Sequence, residues 1–299
     1  MLTTSSKFAS FILLIKDDLW GAFLPLVKIT IRLHFLKRRW SNKLYYLQIL
    51  FMRSSMSATI PEATARLELV LGKDRLGQIQ NSCVMVLGLG GVGSNCVQAL
   101  ARGGVGSFVL VDADAVEASN LNRQAIAYVS TIGKRKVDVT KEMILDINPD
   151  AHVVTLDAFL LKDNVDEQLS ALPKPDVVVD AFDTISAKLA VVAWCQKNDI
   201  YLISSMGGGN KIHPELLEIT TLSKTHTDAL ARVMRKESKK RGLADFRVLY
   251  SPEPARPVFA PEGATGKSAK LGTMSYYPPI MGQMIASDVI LHLSGLDHE

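Results

Sequence analysis

From residue 84 onward the hydrophobic positions alternate between two rhythms. Short apolar runs at 84–87, 108–111, 153–156, 177–179 and 201–204 are rich in branched side chains. Strands buried on both faces of a parallel sheet have this character. Apolar residues at helical spacing fill the intervals. The clearest stripe is Val137, Met143, Ile144 and Ile147 within 134–148, which stops before Pro149. A helix opening at Gly93-Ser94 and running to about Arg102, a polar helix between the third and fourth strands, and a helix over 186–196 are predicted as well. Strand and helix in turn predict an α/β fold, a doubly wound, mostly parallel sheet with a Rossmann-like nucleotide site.

The rhythm loosens after residue 205. A strand returns at 216–222, and 227–242 reads as a helix capped by Thr227 and ended by Gly242. Residues 248–257 read as extended and fixed by prolines, and a last helix runs to about Leu293. We therefore divide 58–299 into a nucleotide half, 82–205, and a substrate half, 206–299.

The first strand runs into Gly88, Gly90 and Gly93, spaced G-x-G-x-x-G, with Gly91 an extra glycine between them. Such glycines let backbone turn sharply and lie against a phosphate, and Ser94 then opens a helix whose dipole favours an anion. The second strand ends in Asp112, 24 residues after Gly88, where folds of this kind hold a ribose hydroxyl. Asp112 begins a polar run too long for a tight turn: it includes Asp114, Asn120, Asn122 and Arg123, with Lys136 beyond. Cationic side chains beside a phosphate chain suit a reaction that cleaves that chain, where charge builds on phosphate oxygens. Hydride transfer has no such need, so the site reads as ATP chemistry. At the end of the fourth strand, Asp180 and Asp183 leave the sheet where an acid can hold Mg²⁺ against a triphosphate. A glycine-rich crossing, Gly207-Gly208-Gly209-Asn210, follows the fifth strand and offers bare backbone to a substrate.

The motifs GLGGVGS, VDADAVEASNLNRQ and Gly133-Lys134-Arg135-Lys136 resemble those of the ThiF/MoeB, ubiquitin-activating superfamily of carboxylate-adenylating enzymes. The resemblance runs from about Arg66 to the C-terminus. Val248-Leu-Tyr-Ser251-Pro-Glu-Pro-Ala-Arg256 and Gly272-Thr-Met-Ser-Tyr-Tyr-Pro278-Pro279 resemble the branch whose members dehydrate threonylcarbamoyladenosine in tRNA. The resemblance implies ATP along Gly88–Ser94 with its ribose on Asp112. It implies phosphates near Asn120, Arg123 and Lys136, and Mg²⁺ on Asp183, leaving Asp180 structural. A threonyl carboxylate would be adenylated and then closed onto its neighbouring ureido group, with net loss of water. Arg66 matches the second arginine of an R-F-x-R-T pattern and would reach ATP phosphates, often those of a partner subunit. Ala63 and Thr64 stand where the first Arg-Phe would be, a departure from the pattern. The expected partners are tRNA, a second copy of the chain and a sulfur-relay protein.

Composition changes this picture in three places. The net charge of +4 conceals nine basic and two acidic residues within 1–57, against 25 and 28 in the remainder. That extension supports three readings: an interfacial membrane helix, an organellar transit sequence, or an upstream start with Met52 or Met56 the real beginning. The expected location is cytoplasmic, with peripheral membrane contact only through this extension. Secondly, Arg232, Arg235, Lys236, Lys239, Lys240 and Arg241 crowd ten positions of an otherwise acidic body, with only Glu237 among them. This face, with Arg256, is expected to contact the tRNA backbone. Thirdly, Cys83, Cys96 and Cys195 lie in or beside apolar runs without C-x-x-C spacing, which suits a reducing compartment and core packing. It also argues against the zinc site and reactive cysteine of the rival reading, an activator of a ubiquitin-like or sulfur-carrier protein. Two further rivals are weaker: an NAD oxidoreductase leaves Arg123 and Lys136 unexplained, and a membrane-attached binding module rests on 1–57 alone. Residues 261–270, with glycine and lysine, are expected to be mobile.

Overall fold

The computed structural model describes residues 60–259 and 271–297. The readings of 1–57 and of 261–270 lie outside them. Two helices, α1 (Ile60–Leu71) and α2 (Lys73–Gln80), come first, broken at Gly72 with its φ of 78°. The nucleotide half then alternates β1 (Cys83–Leu87), α3 (Gly91–Arg102), β2 (Ser107–Val111), α4 (Lys136–Ile147) and β3 (His152–Leu156). It continues with α5 (Val165–Ser170), β4 (Val177–Asp180), α6 (Ile185–Asn198) and β5 (Tyr201–Ser205). β6 (Glu218–Thr221), α7 (Ala229–Lys240), β7 (Arg247–Tyr250) and α8 (Tyr277–Leu293) complete the substrate half. No described helix is long and apolar enough to cross a membrane.

The seven strands lie in the order β3-β2-β1-β4-β5-β7-β6, parallel throughout except for β6 against β7. Strand order reverses between β1 and β4, so the chain leaves these neighbours toward opposite sides and opens a crevice at their C-terminal ends. Leu87 pairs with Asp180 at that point. Alternation along each strand feeds two cores. Val84 and Val86 pack on one face with α3 and α8 residues such as Leu100, Ile285 and Val289. Met85 and Leu87 pack on the other with Val191, Trp194 and Met234. Burying each large aliphatic side chain contributes about 1.5–3 kcal/mol, which holds both helical layers against the sheet. At Gly282, α8 comes so close to α3 that a Cβ would lie 2.5 Å from the Val92 carbonyl oxygen.

Three boundaries differ from the sequence reading. α3 begins at Gly91, so Gly93 and Ser94 sit inside its first turn. The returning strand keeps only Glu218–Thr221, and 3-10 turns occupy its flanks. α7 is capped by Asp228, whose carboxylate accepts from the Ala231 N–H at 2.8 Å. Thr227, read as the cap, instead has a φ of 60°. An acid at this position caps as well as a hydroxyl does, and pattern alone does not separate adjacent candidates.

Candidate active site

The glycines at the end of β1 serve different ends. Gly88 has a φ of 89°, and a Cβ there would stand 2.9 Å from the Phe182 nitrogen. A Cβ on Gly93 would lie 1.8 Å from the Gly88 carbonyl oxygen. Both are required by the protein's own backbone. Gly90, with φ of −75°, is not: the nearest atom to its missing Cβ is Gln124 Nε2 at 4.0 Å. The space belongs to whatever approaches the α3 N-terminus, where first-turn N–H groups precede any intrahelical acceptor. Gly91 packs beneath Pro278 and the stem of Arg123, at 2.8 and 3.3 Å from where its Cβ would be.

Asp112 fastens this loop. Its carboxylate accepts from the Leu89 N–H at 2.6 Å and from the Asp114 N–H at 2.8 Å. Lys136, at the start of α4 and 7% exposed, puts its ammonium 2.7 Å from Asp114 and 4.0 Å from Asp112. A cleft of about 130 Å³ opens here, lined among others by Gly88, Asp112, Asp114, Phe159, Phe182 and Asp183. Phe159 is 68% exposed on its wall, an aromatic platform that sequence reasoning missed. Its one legible signal was a large apolar side chain in a polar loop beyond a strand's C-terminal end.

The polar run after Asp112 folds back onto α3. Asn120 is buried, its amide oxygen accepting from the Glu117 N–H at 3.1 Å and its nitrogen donating to Ser119 at 3.2 Å. Asn120 thus shapes the run rather than projecting from it. Ser94 is buried too: its hydroxyl donates to Gly90 O at 2.6 Å and accepts from Ala125 N–H at 3.0 Å. Its side chain therefore fastens the first turn of α3, which begins at Gly91 rather than at Gly93. Asn95 donates to both Gly91 O and Arg123 O and joins the same seam. Arg123 lies over Gly91, its guanidinium donating to Ser119 O at 2.8 Å and Asn122 Oδ1 at 2.7 Å. Gln124, which sequence reasoning passed over, is buried beside Gly90 with its Oε1 lacking a protein partner.

On the β4 side, Asp180 is buried between Lys188 at 2.9 Å and Ser204 at 2.6 Å. Asp183 is exposed at the cleft's rim. Arg66 is exposed on α1 and lines neither this cleft nor the larger cavity of about 970 Å³ that opens among α1, α3 and α4. That larger space holds none of the glycine loop or of Asp112, Arg123, Lys136 and Asp183. The smaller cleft is the one bordered by Gly88 and the fixed Asp112 carboxylate.

The substrate half reaches the same place. Residues 271–278 cross from the glycine crossing to α3: Gly272 N–H donates to Asn210 Oδ1 at 2.6 Å, Thr273 O accepts from Asn122 at 3.1 Å, and Pro278 lies on Gly91. On α7, buried Ala231, Met234 and Ser238 leave Arg232, Lys236 and Lys239 exposed along one side. Arg235 and Lys240 do not share that freedom. Arg235 is half-buried and donates to the buried Thr225, while Lys240 pairs with Glu237 at 3.1 Å beside Arg241 at 2.6 Å. Helix geometry turns Arg235 toward the packed side, one turn on from Ala231. Arg256 is exposed on the extended segment. None of the thiols is activated. Burial, then Asp176, pushes Cys83 up to about 11; burial, then Asp180, pushes Cys195 up to about 12; burial raises Cys96 further.

The chain matches the profile of the ThiF family over residues 63–299. It is 39% identical over 239 residues to the tRNA threonylcarbamoyladenosine dehydratase of Bacillus subtilis, which covers 77% of this chain and 93% of that protein. It is 38% identical over 186 residues to the Escherichia coli protein of the same name, covering 62% of this chain and 66% of that one. The crystal structure of the Escherichia coli enzyme in complex with ATP superposes with a TM-score of 0.71 at 29% identity, covering 81% of this chain and 98% of that one. The chain belongs to the ThiF family and, within it, to the branch of tRNA threonylcarbamoyladenosine dehydratases.

Proposed function

We propose that the chain uses ATP to activate the threonyl carboxylate of N6-threonylcarbamoyladenosine in tRNA, which then closes to the cyclic form with net loss of water. One observation carries this reading: at the α3 N-terminus, Gly90 leaves space that no protein atom fills, directly beside Gln124 and next to the Gly91 that underlies Arg123. ATP bound there would supply an adenylyl group: the carboxylate displaces pyrophosphate at the α-phosphate, and AMP then leaves as the ureido nitrogen bonds to the carbonyl carbon. The residues of this chain do the rest. Arg123, poised over Gly91, is the group that stabilises charge growing on the phosphates, and Lys136 adds a fixed positive charge held by two acids. Each such donor is worth about 10²–10³ in rate. Asp112 and Asp114 lie nearest the ribose, and Phe159 faces the base.

Asp183, exposed at the rim of the cleft, is the residue that would hold Mg²⁺. Among the described residues no group of three or more His, Cys, Asp or Glu could hold a metal without other donors. Asp183 would hold Mg²⁺ with few other protein donors, as Mg²⁺ sites that rely on substrate oxygens do, and the ion would offset phosphate charge. The carboxylate enters between the glycine crossing and residues 271–276, and the ureido group of the substrate is itself the nucleophile in ring closure. No thiol takes part, in keeping with the raised Cys83, Cys96 and Cys195.

Arg232, Lys236, Lys239 and Arg256 form the tRNA-facing surface. A second copy covers α1, where Leu69 and Val70 are 88% and 82% exposed on either side of a turn from Arg66. Tyr128, Val129 and Ile132 add apolar surface beside the larger cavity. Arg66 then completes the partner's site.

The test incubates the full chain with ATP, Mg²⁺ and threonylcarbamoylated tRNA and weighs the nucleosides by mass spectrometry, with Arg123→Ala alongside. Loss of one water from the modified adenosine, absent with the variant, is the expected result. Unchanged mass, with pyrophosphate released instead by a carrier protein ending in Gly-Gly, would move the chain to the protein-activating branch.

A further inference from the structure

Two buried charges of the substrate half lie behind the glycine crossing, where the mechanism has so far given them nothing to do. Lys211 is 4% exposed and its ammonium sits 2.7 Å from Asp228 Oδ2, itself 3% exposed, and 2.9 Å from the Ser251 carbonyl. Asp228 uses its other oxygen to cap α7 through the Ala231 N–H. A Cβ on Gly207 would stand 2.9 Å from Asp228 Oδ2, so the crossing rests directly on this carboxylate. The residue just before it, Thr227, is β-branched yet holds a φ of 60°, a conformation that persists only when its surroundings enforce it. Ser251 begins the segment that carries Arg256, and the Arg256 N–H donates to the Asn210 carbonyl at 2.8 Å. Both tRNA-facing elements, α7 and the Arg256 segment, therefore end on Lys211 or its neighbour.

Stability does not account for charges in this place. Replacing a buried ion pair by apolar side chains is often neutral or stabilising. What apolar side chains lack is direction. Here one carboxylate points one oxygen at the first turn of the basic helix and the other at the crossing. We propose that Lys211 and Asp228 are a positioning pair that fixes the glycine crossing relative to α7, so that tRNA seated on Arg232, Lys236 and Lys239 presents its carboxylate in register with the phosphates. The inference rests on reading α7 as the tRNA face.

The test compares the full wild-type chain with Lys211→Met/Asp228→Asn, in which asparagine keeps the cap and no charge is left unpaired. A second variant, Arg232→Ala/Lys236→Ala/Lys239→Ala, probes the reading beneath. Affinity for threonylcarbamoylated tRNA, KM for ATP, melting temperature and single-turnover dehydration are measured on each. For the pair variant we expect tRNA affinity and KM for ATP to hold while turnover falls by about 10²-fold, the scale of a misplacement near 1 Å. Unchanged turnover overturns the proposal. So does a fall in melting temperature with turnover per folded molecule intact, which a purely structural pair would give. If the triple variant binds tRNA as the wild type does, the reading of α7 fails and takes the proposal with it. If only the triple variant is impaired, the reading stands and the positioning role is lost.

Discussion

Lys188 and Asp180 form an ion pair of 2.9 Å in which neither side chain has exposed surface, and the same ammonium donates to the Phe182 carbonyl at 2.9 Å. The pair lies beneath the crevice at the switch point, and Phe182 is one residue before the acid we propose for Mg²⁺. Lys188 thus ties the floor of the cleft to the loop that bears Asp183.

Removing one partner leaves the other charge buried and uncompensated. Lys188→Met is expected to lower stability by about 3–5 kcal/mol. Urea denaturation measures this directly; a loss below about 1 kcal/mol would contradict an uncompensated charge left buried at the site.

The glycine loop separates fold from ligand. Gly93→Ala forces a Cβ to 1.8 Å from a backbone oxygen and should disrupt the loop, lowering melting temperature and ATP binding together. Gly90→Ala meets only Gln124 at 4.0 Å, so melting temperature should hold while KM for ATP rises. Calorimetry with ATP titration distinguishes the two, and unaltered ATP affinity in Gly90→Ala would remove the nucleotide from this loop.

Phe159 should carry the base. Stacking of a base on an aromatic ring contributes about 1–3 kcal/mol, so Phe159→Ala should raise KM for ATP by roughly tenfold and leave kcat within about twofold. Phe159→Tyr, which keeps the ring, should restore it.

On α7, three exposed cations predict a salt signature. Replacing Arg232, Lys236 and Lys239 by alanine should reduce the slope of log affinity against log salt by about 2 on RNA. Arg235→Ala, by contrast, should act on stability through Thr225 and leave the slope nearly unchanged. Binding curves between low and moderate salt decide between them.

The thiols give a pH prediction. A thiol near 11, as at Cys83, is thiolate in about one part in 10⁴ at pH 7. Since raising pH deprotonates it, maleimide labelling of the native chain should be negligible at pH 7 and climb about tenfold per unit toward 11. Rapid labelling of any one cysteine at pH 7 would contradict the burial described.

Local order made much of this legible from sequence. The strand, glycines, helix and Asp112 lie within a few dozen residues, and each constrains its neighbour by spacing alone. The position of Asp183 just beyond β4, at the edge of the cleft, was legible for the same reason. What escaped depends on contacts between distant segments. Lys188 reads as a helix-surface lysine until Asp180 is seen opposite it, and Lys211 reads as a loop lysine until Asp228 and the Ser251 carbonyl are seen around it. The six-residue basic cluster was visible, but helical phase decides that Arg235 turns inward while Lys236 does not. The Ser94 side chain escaped because the helix boundary lay two residues earlier than the spacing suggested, which turns its hydroxyl into the first turn.

The unequal glycines bear on descent as well as on chemistry. Gly93 is fixed by the chain's own backbone and would persist in any descendant that kept the fold, whether or not it still handled a nucleotide. Gly90 has no such constraint from the protein and, on the proposed function, answers to the ligand alone. In a lineage that abandoned adenylation, the motif would therefore decay first at its middle glycine, and a side chain there would mark a site retired from use while the fold around it endured.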